Sequence, residues 1–166
     1  LAIARALTGA GAAVAIMDVD GEGAARAARE LGGDGQARAF QVDVSDERSV
    51  ASAFRDAARA FGPVTVLVCN AGICGTEGFE ALELEAWQRT LAVNLTGAFL
   101  CMKAVVPGMI ARGKGGRIVT VGSLAGRSGG IATSAAYAAS KAGIAGLARA
   151  AARQLAQHRI LVNCVA

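Results

Sequence analysis

At 166 residues and 54% hydrophobic content, the chain is long and apolar enough for one domain with a sizeable core, and its 22 glycines against two prolines point to tight strand–helix turns rather than disordered linkers. Its formal charge of +4 comes from arginines spread over several helices with few aromatics beside them, which argues against nucleic-acid binding and for solvated helix faces. The four cysteines, Cys69, Cys74, Cys101 and Cys164, show no CxxC or Cys/His ligand spacing, and no apolar run reaches ~18 uninterrupted residues. The expectation is therefore a cytoplasmic protein with reduced thiols, no metal site, no signal peptide and no membrane span.

Residues 1–7 read as the back half of a helix, apolar at Leu1, Ala4 and Leu7, with Gly9 as its stop. Residues 13–18 form a short apolar run of buried-strand type. Between them, Thr8-Gly9-Ala10-Gly11 has the look of a dinucleotide fingerprint. It closes a helix and precedes a strand, the reverse of the required context, so it reads as a turn. Asp18 ends its strand where a dinucleotide fold places the acid that grips the adenosine ribose. A carboxylate there accepts from the 2′-OH and repels a 2′-phosphate, and no Lys or Arg occurs between Met17 and Ala25 to neutralise one. Were the fold to bind a dinucleotide there, NAD would be expected, with NADP the weaker candidate. The plainer role for Asp18 or Asp20 is to cap the next helix, and Asp20 suits it better.

Residues 21–31 form an amphipathic helix ending in Gly32-Gly33, and Asp34-Gly35 make a turn. Residues 37–44 form a strand whose end carries Asp43, Val44 and Ser45. Ser45 is expected to begin a helix with Asp46 and Glu47 in its first turn and Val50, Phe54, Ala57 and Phe61 as its core stripe. Residues 64–69 form a strongly apolar strand that runs into Asn70-Ala71-Gly72-Ile73. Small residues there let the backbone approach a flat ligand, and such a loop at the carboxyl end of a parallel strand is where open sheets bind ligands.

Residues 84–110 fit one long helix with Leu84, Trp87, Leu91, Ala98, Met102, Val105 and Met109 on one stripe, and Pro107 is expected to kink or shorten it. Asn94 falls on that stripe, and a buried amide needs partners, in the plainest case neighbouring backbone. Residues 117–122 form a buried strand ending at Ser123, whose hydroxyl can donate to a substrate carbonyl oxygen. His158 sits on the polar end of a helix and is given no role, and residues 160–166 read as a last buried strand.

Tyr137 and Lys141 lie four residues apart at the start of an alanine-rich helix, so both project from one face, one turn apart. Ile144, Ala148, Ala151 and Leu155 continue that stripe. A cation about 5 Å from a phenol, at an effective dielectric of about 20, favours the phenolate by roughly 3 kcal/mol, which brings general acid–base work within reach of neutral pH. An isolated YxxxK is more simply a half-buried aromatic beside a solvated cation, so the pair gains its meaning from the rest of the chain.

Tyr137-Ala-Ala-Ser-Lys-Ala-Gly143, with Asn70-Ala71-Gly72, Asn94 and Ser123 upstream, resembles the short-chain dehydrogenase/reductase family over the whole chain. The resemblance implies a single α/β domain, a doubly wound Rossmann-like parallel sheet, and an NAD(P)-dependent oxidoreductase acting on small-molecule alcohols and ketones. It implies a catalytic set of Asn94, Ser123, Tyr137 and Lys141. Tyr137 would be the general acid or base, Lys141 would also bind the nicotinamide ribose, and Asn94 would distort its helix and help hold a water that links the lysine to solvent. Asp43 would meet the adenine amino group, Val44 would lie against the ring, and Asn70, Ala71 and Gly72 would lie beside the adenosine side of the cofactor.

Ser123 lies one residue further from the tyrosine than in many relatives, which leaves Ser128, Thr133 and Ser134 as alternatives; Ser134 suits a helix cap best. The family also carries a strand and a glycine-rich phosphate turn upstream of a helix such as 1–7, and a substrate-covering segment downstream. The expectation is thus a fragment truncated at both ends, with the strands around Ile16 and Leu67 left unpaired on facing edges. The alanine-rich face around 148–155 and the 84–110 helix resemble the surfaces by which family members form dimers and tetramers, so a homo-oligomer is expected. Two other readings remain: a non-catalytic nucleotide-binding protein, and an inert unit that associates only through its helices.

Overall fold

Short runs of Val, Ile, Leu and Ala form five strands, all paired in parallel, and parallel neighbours require a crossover between them that helices supply here. The computed structural model describes residues 1–166 apart from the side chain of Asp34. They pack as two units, Leu1–Gly62 and Pro63–Ala166.

In the first unit, β1 (Val14–Asp18) pairs with β2 (Ala37–Gln41) from Val14↔Ala37 to Asp18↔Gln41. Its helices are α1 (Ala2–Gly9), α2 (Gly21–Glu30) and α3 (Glu47–Phe61). Helix α1 includes Gly9 rather than stopping before it, and Ala10 is its C-cap. As expected, Asp20 caps α2, accepting from the Gly23 N–H at 2.9 Å. Strand β2 ends at Gln41, short of residue 44, because Asp43 folds the chain around its own carboxylate. Oδ1 of Asp43 accepts from the Ser45 N–H (2.9 Å) and the Ser45 hydroxyl (2.6 Å), a local bonding pattern that competes with strand pairing. Ser45 is spent there, so α3 begins later, capped by Asp46, which accepts from the Arg48 N–H at 2.8 Å. Ala28, Leu31 and Ala37 form the core of this unit, with Ala4, Ile16 and Ala39 packed against it. Val50, Phe54 and Ala57 are buried as the α3 stripe requires, while Phe61 is half-buried beneath the Arg38 guanidinium, 6.0 Å from its ring centroid.

In the second unit, β3 (Val66–Cys69), β4 (Gly116–Val121) and β5 (Ile160–Val165) lie in that order. The helix expected at 84–110 is a longer rod with an interruption: α4 (Leu84–Leu91), a π-helical turn at Ala92–Thr96, and α5 (Gly97–Arg112). An extra residue in the π turn rotates everything upstream by about 100° relative to a continuous α-helix. That rotation takes Leu84 off the stripe and leaves it exposed, whereas Ala98, Met102, Val105 and Met109 are buried. Pro107 does not shorten α5, which runs on to Arg112. The rod spans 29 residues and is long and apolar enough, by length and composition, to cross a membrane. Here its buried apolar residues face β3, β4 and the long helix that follows, while Leu84, Phe99 and Ile110 are exposed.

That helix is α7 (Ala135–Leu155), preceded by a short α6 (Ala125–Ser128) that the sequence pattern does not announce. Met109, Ile118, Ile144 and Ile160 are fully buried between α5, the sheet and α7, each removal from water worth about 1.5–3 kcal/mol. This packing sets the first turns of α7 against the carboxyl ends of β3 and β4, the edge where open parallel sheets hold ligands.

Candidate active site

Alanine has the highest helix propensity, and Ala135–Leu155 is built on it, with Ser134 as N-cap accepting from the Tyr137 N–H at 3.3 Å. The helical spacing places Lys141 one turn beyond Tyr137, with Nζ 5.6 Å from the phenol ring centroid. Lys141 is only 5% exposed, and its ammonium donates to the Val121 carbonyl oxygen at 2.7 Å. Burial pulls its pKa below the ordinary 10.5 because the charged form loses solvation, and the nearby thiols of Cys164 and Cys74, when ionised, push it back up.

Asn94 sits in the π turn, fully buried, and its partners lie outside its own helix. Its Oδ1 accepts from the Ile73 N–H at 2.8 Å. Its Nδ2 donates to the Ile73 carbonyl at 2.9 Å and to the Ser140 hydroxyl oxygen at 3.0 Å. The amide thus spends both hydrogens and clamps the loop after β3 to α7. A second tie holds the same loop, since the Ser134 N–H donates to the Gly75 carbonyl at 2.8 Å. Asn70, Ala71 and Gly72 are exposed on this loop. A Cβ on Gly72 would stand 3.3 Å from Asn94 Oδ1 and 3.7 Å from Lys141 Nζ, so the bare backbone keeps open the space beside the ammonium.

Ser123 follows β4 and is half-buried, accepting from the Ala125 N–H at 3.1 Å, which leaves its own proton to donate. It shares a cleft of about 570 Å³ with Gly122, Lys141, Arg127, Arg149 and Cys164. Tyr137 does not line that cleft; it stands half-buried on the Lys141 side of the helix. Of the alternatives to Ser123, Ser128 donates to the Leu124 carbonyl within α6, Ser134 is the α7 cap, and Thr133 Oγ1 is buried without a hydrogen-bond partner. The backbone of α6 lies directly on α7: a Cβ on Gly126 would fall 2.7 Å from both the Ala142 nitrogen and the Lys141 carbonyl carbon.

The sequence reading missed Gly126 and Ser140. The only signal for Ser140 was its place between Tyr137 and Lys141, where it passes for an ordinary helix residue. Gly126 had no local signal at all.

In the first unit, Asp18 is exposed at the carboxyl end of β1, with Oδ1 accepting from the Asp20 N–H at 3.1 Å. It lines a cleft of about 380 Å³ with Ile16, Gly23, Ala24 and Arg26. Arg26 lies one residue beyond the stretch free of Lys and Arg that ends at Ala25. Its guanidinium is within 3.8 Å of Asp20 and 3.9 Å of Glu22, so acids of its own helix start offset its charge. Asp43 is exposed and turned onto Ser45, and Val44 is half-buried beside it. Among the described residues no group of three or more His, Cys, Asp and Glu side chains could hold a metal ion.

The chain belongs to the short chain dehydrogenase family, whose family model matches residues 1–166. Its structure resembles sorbitol-6-phosphate 2-dehydrogenase SrlD from Erwinia amylovora, with a TM-score of 0.92 and 33% identity, covering 98% of this chain and 64% of that one. This likeness gives the parallel α/β arrangement its class, a Rossmann-like fold. Among curated relatives, the "inactive 2-(S)-hydroxypropyl-CoM dehydrogenase 2" of Xanthobacter autotrophicus is 45% identical over 75% of this chain and 53% of its own length. The 2-(S)-hydroxypropyl-CoM dehydrogenase 3 of the same organism is 42% identical over 76% of this chain and 49% of its own. A 2-dehydro-3-deoxy-L-rhamnonate dehydrogenase (NAD(+)) from a Sphingomonas species is 44% identical over 52% of this chain and 34% of its own. The chain spans about half the length of the first two of these relatives.

Proposed function

We propose that this chain carries the catalytic core of an oxidoreductase that transfers a hydride between NAD(H) and a secondary alcohol or ketone. The observation that carries the reading is the buried Lys141. Its ammonium is pinned to the Val121 carbonyl, one helical turn from Tyr137, with Gly72 leaving space beside it and Ser123 on the same cleft. A cation kept out of water at the carboxyl ends of β3 and β4 costs stability, and a chemical task for it explains why it is there.

Each unit, taken by itself, carries residues suited to part of a nicotinamide dinucleotide. In the second unit, Lys141 and the open backbone of Asn70, Ala71 and Gly72 suit a ribose and flat rings; in the first, Asp18, exposed at its strand end, suits the two hydroxyls of an adenosine ribose, with Asp43 and Val44 for the adenine. When bound, NAD supplies the hydride acceptor and NADH the donor. The chain does the rest. Tyr137 takes or gives the proton at its phenolic oxygen, Lys141 holds a positive charge one helical turn away, and Ser123 donates to the substrate oxygen. Asn94 holds the loop. Both of its amide hydrogens are already donated, so a water in a relay from Lys141 could meet this side chain only as a donor to Oδ1, or would use the main-chain carbonyl instead. NAD rather than NADP is favoured by the Asp18 carboxylate and by the acids that offset Arg26. A cytoplasmic homo-oligomer belongs to the same proposal, with the exposed α5 side chains Phe99 and Ile110 available for contact between copies.

The test is Tyr137→Phe in the complete reading frame that carries this chain. Loss of general acid–base catalysis should lower kcat by about 10²–10⁴-fold, roughly 3–5 kcal/mol in the barrier, with NADH binding retained. Turnover within a few-fold of wild type removes the assignment. A second reading, nucleotide binding without turnover, is favoured by the 45%-identical relative whose name marks it inactive. Saturable NADH fluorescence with no alcohol or ketone turned over in a broad panel would decide for it.

A further inference from the structure

We infer that Ser140 is a positioning residue that sets the geometry of the Tyr137–Lys141 turn; the inference rests on the oxidoreductase reading above. Ser140 is fully buried, and its hydroxyl is committed in both directions. It donates to the Tyr137 carbonyl at 2.7 Å and accepts from Asn94 Nδ2 at 3.0 Å. In an α-helix the carbonyl of residue 137 also receives the N–H of residue 141, so the serine proton falls on the peptide group that closes the turn between the two side chains. A serine bonded back onto its own helix in this way shifts the local helix path.

The serine is not acting alone. Ile73 donates to and accepts from Asn94, Asn94 donates to Ser140, and Ser140 donates to Tyr137. This unbroken path runs from the loop beyond β3, whose Gly72 faces the ammonium, to the backbone that carries the phenol. Neutral chains of hydrogen bonds polarise one another and fix orientation when every member is satisfied, as here. An alanine at 140 would suit the helix better by propensity alone, by about 0.5 kcal/mol, so the hydroxyl has no local helical reason to be there. Removing it frees the Tyr137 carbonyl from the pull and leaves one Asn94 hydrogen buried without an acceptor.

The expected signature is a defect in kcat and in its pH dependence rather than in binding. In the protein from the complete reading frame, Ser140→Ala should lower kcat about tenfold or more, with KM for NAD changed less than about threefold, since misplacement of reacting groups acts on turnover. The acidic limb of the kcat–pH profile should move to higher pH by about half a unit. Ser140→Thr, which restores the hydroxyl, should recover most of both. Ile144→Val, buried on the same helix and outside the path, supplies the comparison for a loss of stability alone and should leave the profile in place. Should Ser140→Ala fail to fold, Ser140→Cys, of similar volume but a weak donor, takes its place with the same expected shift. An unchanged profile and kcat within twofold of wild type in the hydroxyl-less variant, or an equal shift in Ile144→Val, overturns the positioning role. If Tyr137→Phe also keeps its turnover, the oxidoreductase reading falls as well; if Tyr137→Phe is dead while the hydroxyl-less variant is normal, only the role of Ser140 falls.

Discussion

Lys141 Nζ and the Val121 carbonyl oxygen are 2.7 Å apart, a hydrogen bond that fastens α7 to the end of β4 two residues before Ser123. With the Ser134–Gly75 bond and the Ile73–Asn94–Ser140 path, it makes three ties between the start of α7 and the carboxyl ends of β3 and β4. The phenol and ammonium therefore sit on a helix end with little freedom, which is what a pre-set acid–base pair requires.

Holding a cation in that place costs stability. Because the folded-state pKa of Lys141 lies below its ordinary 10.5, the unfolded chain binds a proton that the folded chain has released between those two pH values, and wild-type stability rises with pH across that window. Below the folded pKa the cost is present in full. Lys141→Met, which keeps the stem and removes the charge, should therefore be as stable as wild type or more stable at about pH 7, with the gap closing towards about pH 10. Its turnover should fall by about 10² or more. Urea unfolding at the two pH values checks the sign, and a gap that widens with pH would show that the ammonium stabilises the fold.

Two glycines of this region should respond in opposite ways. At Gly126 a methyl would meet the backbone of Lys141 and Ala142 at 2.7 Å, and backbone in mid-helix has nowhere to move. Gly126→Ala should cost about 1–3 kcal/mol and lower kcat, since α6 and Ser123 must back away from α7. At Gly146, further along α7, a Cβ meets nothing within 4 Å. Gly146→Ala should add about 0.5–1 kcal/mol of stability with turnover unchanged. Thermal unfolding and initial rates on the two variants make the comparison.

The thiols should divide by burial. Burial pushes Cys69 up to about 12, with the neighbouring Cys101 thiol adding to the shift, and pushes Cys101 up to about 11, so both stay protonated well above the ordinary 9.0. Cys74 is exposed and should react first with a thiol reagent, whereas Cys69 and Cys101 should stay silent until the chain unfolds. With folded pKa values raised, their contribution is complete below pH 9.0 and is lost as pH climbs towards 11 and 12, because the unfolded chain ionises first. Cys69→Ala should flatten that alkaline decline relative to wild type, as read from unfolding midpoints on either side of pH 9. An equally steep decline in the variant would place its origin elsewhere.

On the proposed reading, the choice of NAD over NADP rests on the Asp18 carboxylate. Asp18→Asn removes the charge that would repel a 2′-phosphate while keeping an acceptor for the Asp20 N–H that Asp18 now receives at 3.1 Å. The ratio of kcat/KM for NAD over NADP should drop by about tenfold or more, the equivalent of roughly 1.4 kcal/mol of lost repulsion. A ratio that does not move would take the ribose role away from Asp18.

The features that the amino-acid sequence determined by itself are those written within a few neighbouring residues. The 3.6-residue period places Tyr137 and Lys141 on one face, the apolar runs mark the strands, and Asp20 and Ser134 announce themselves as caps because capping joins groups two or three positions apart. The tertiary structure alone decided what joins distant segments. Asn94 reads as one polar residue on an apolar stripe until packing brings it to Ile73 and Ser140, 21 and 46 positions away, and opens the π turn that rotates Leu84 into solvent. Asp43 and Ser45 bond each other instead of extending β2 and starting α3, a local competition that propensity leaves open. Gly126 counts as a loop glycine until α7 lies against it. Periodicity encodes which way a side chain points along its own element; what it meets there depends on the path of the chain in between, and no short stretch of sequence carries that.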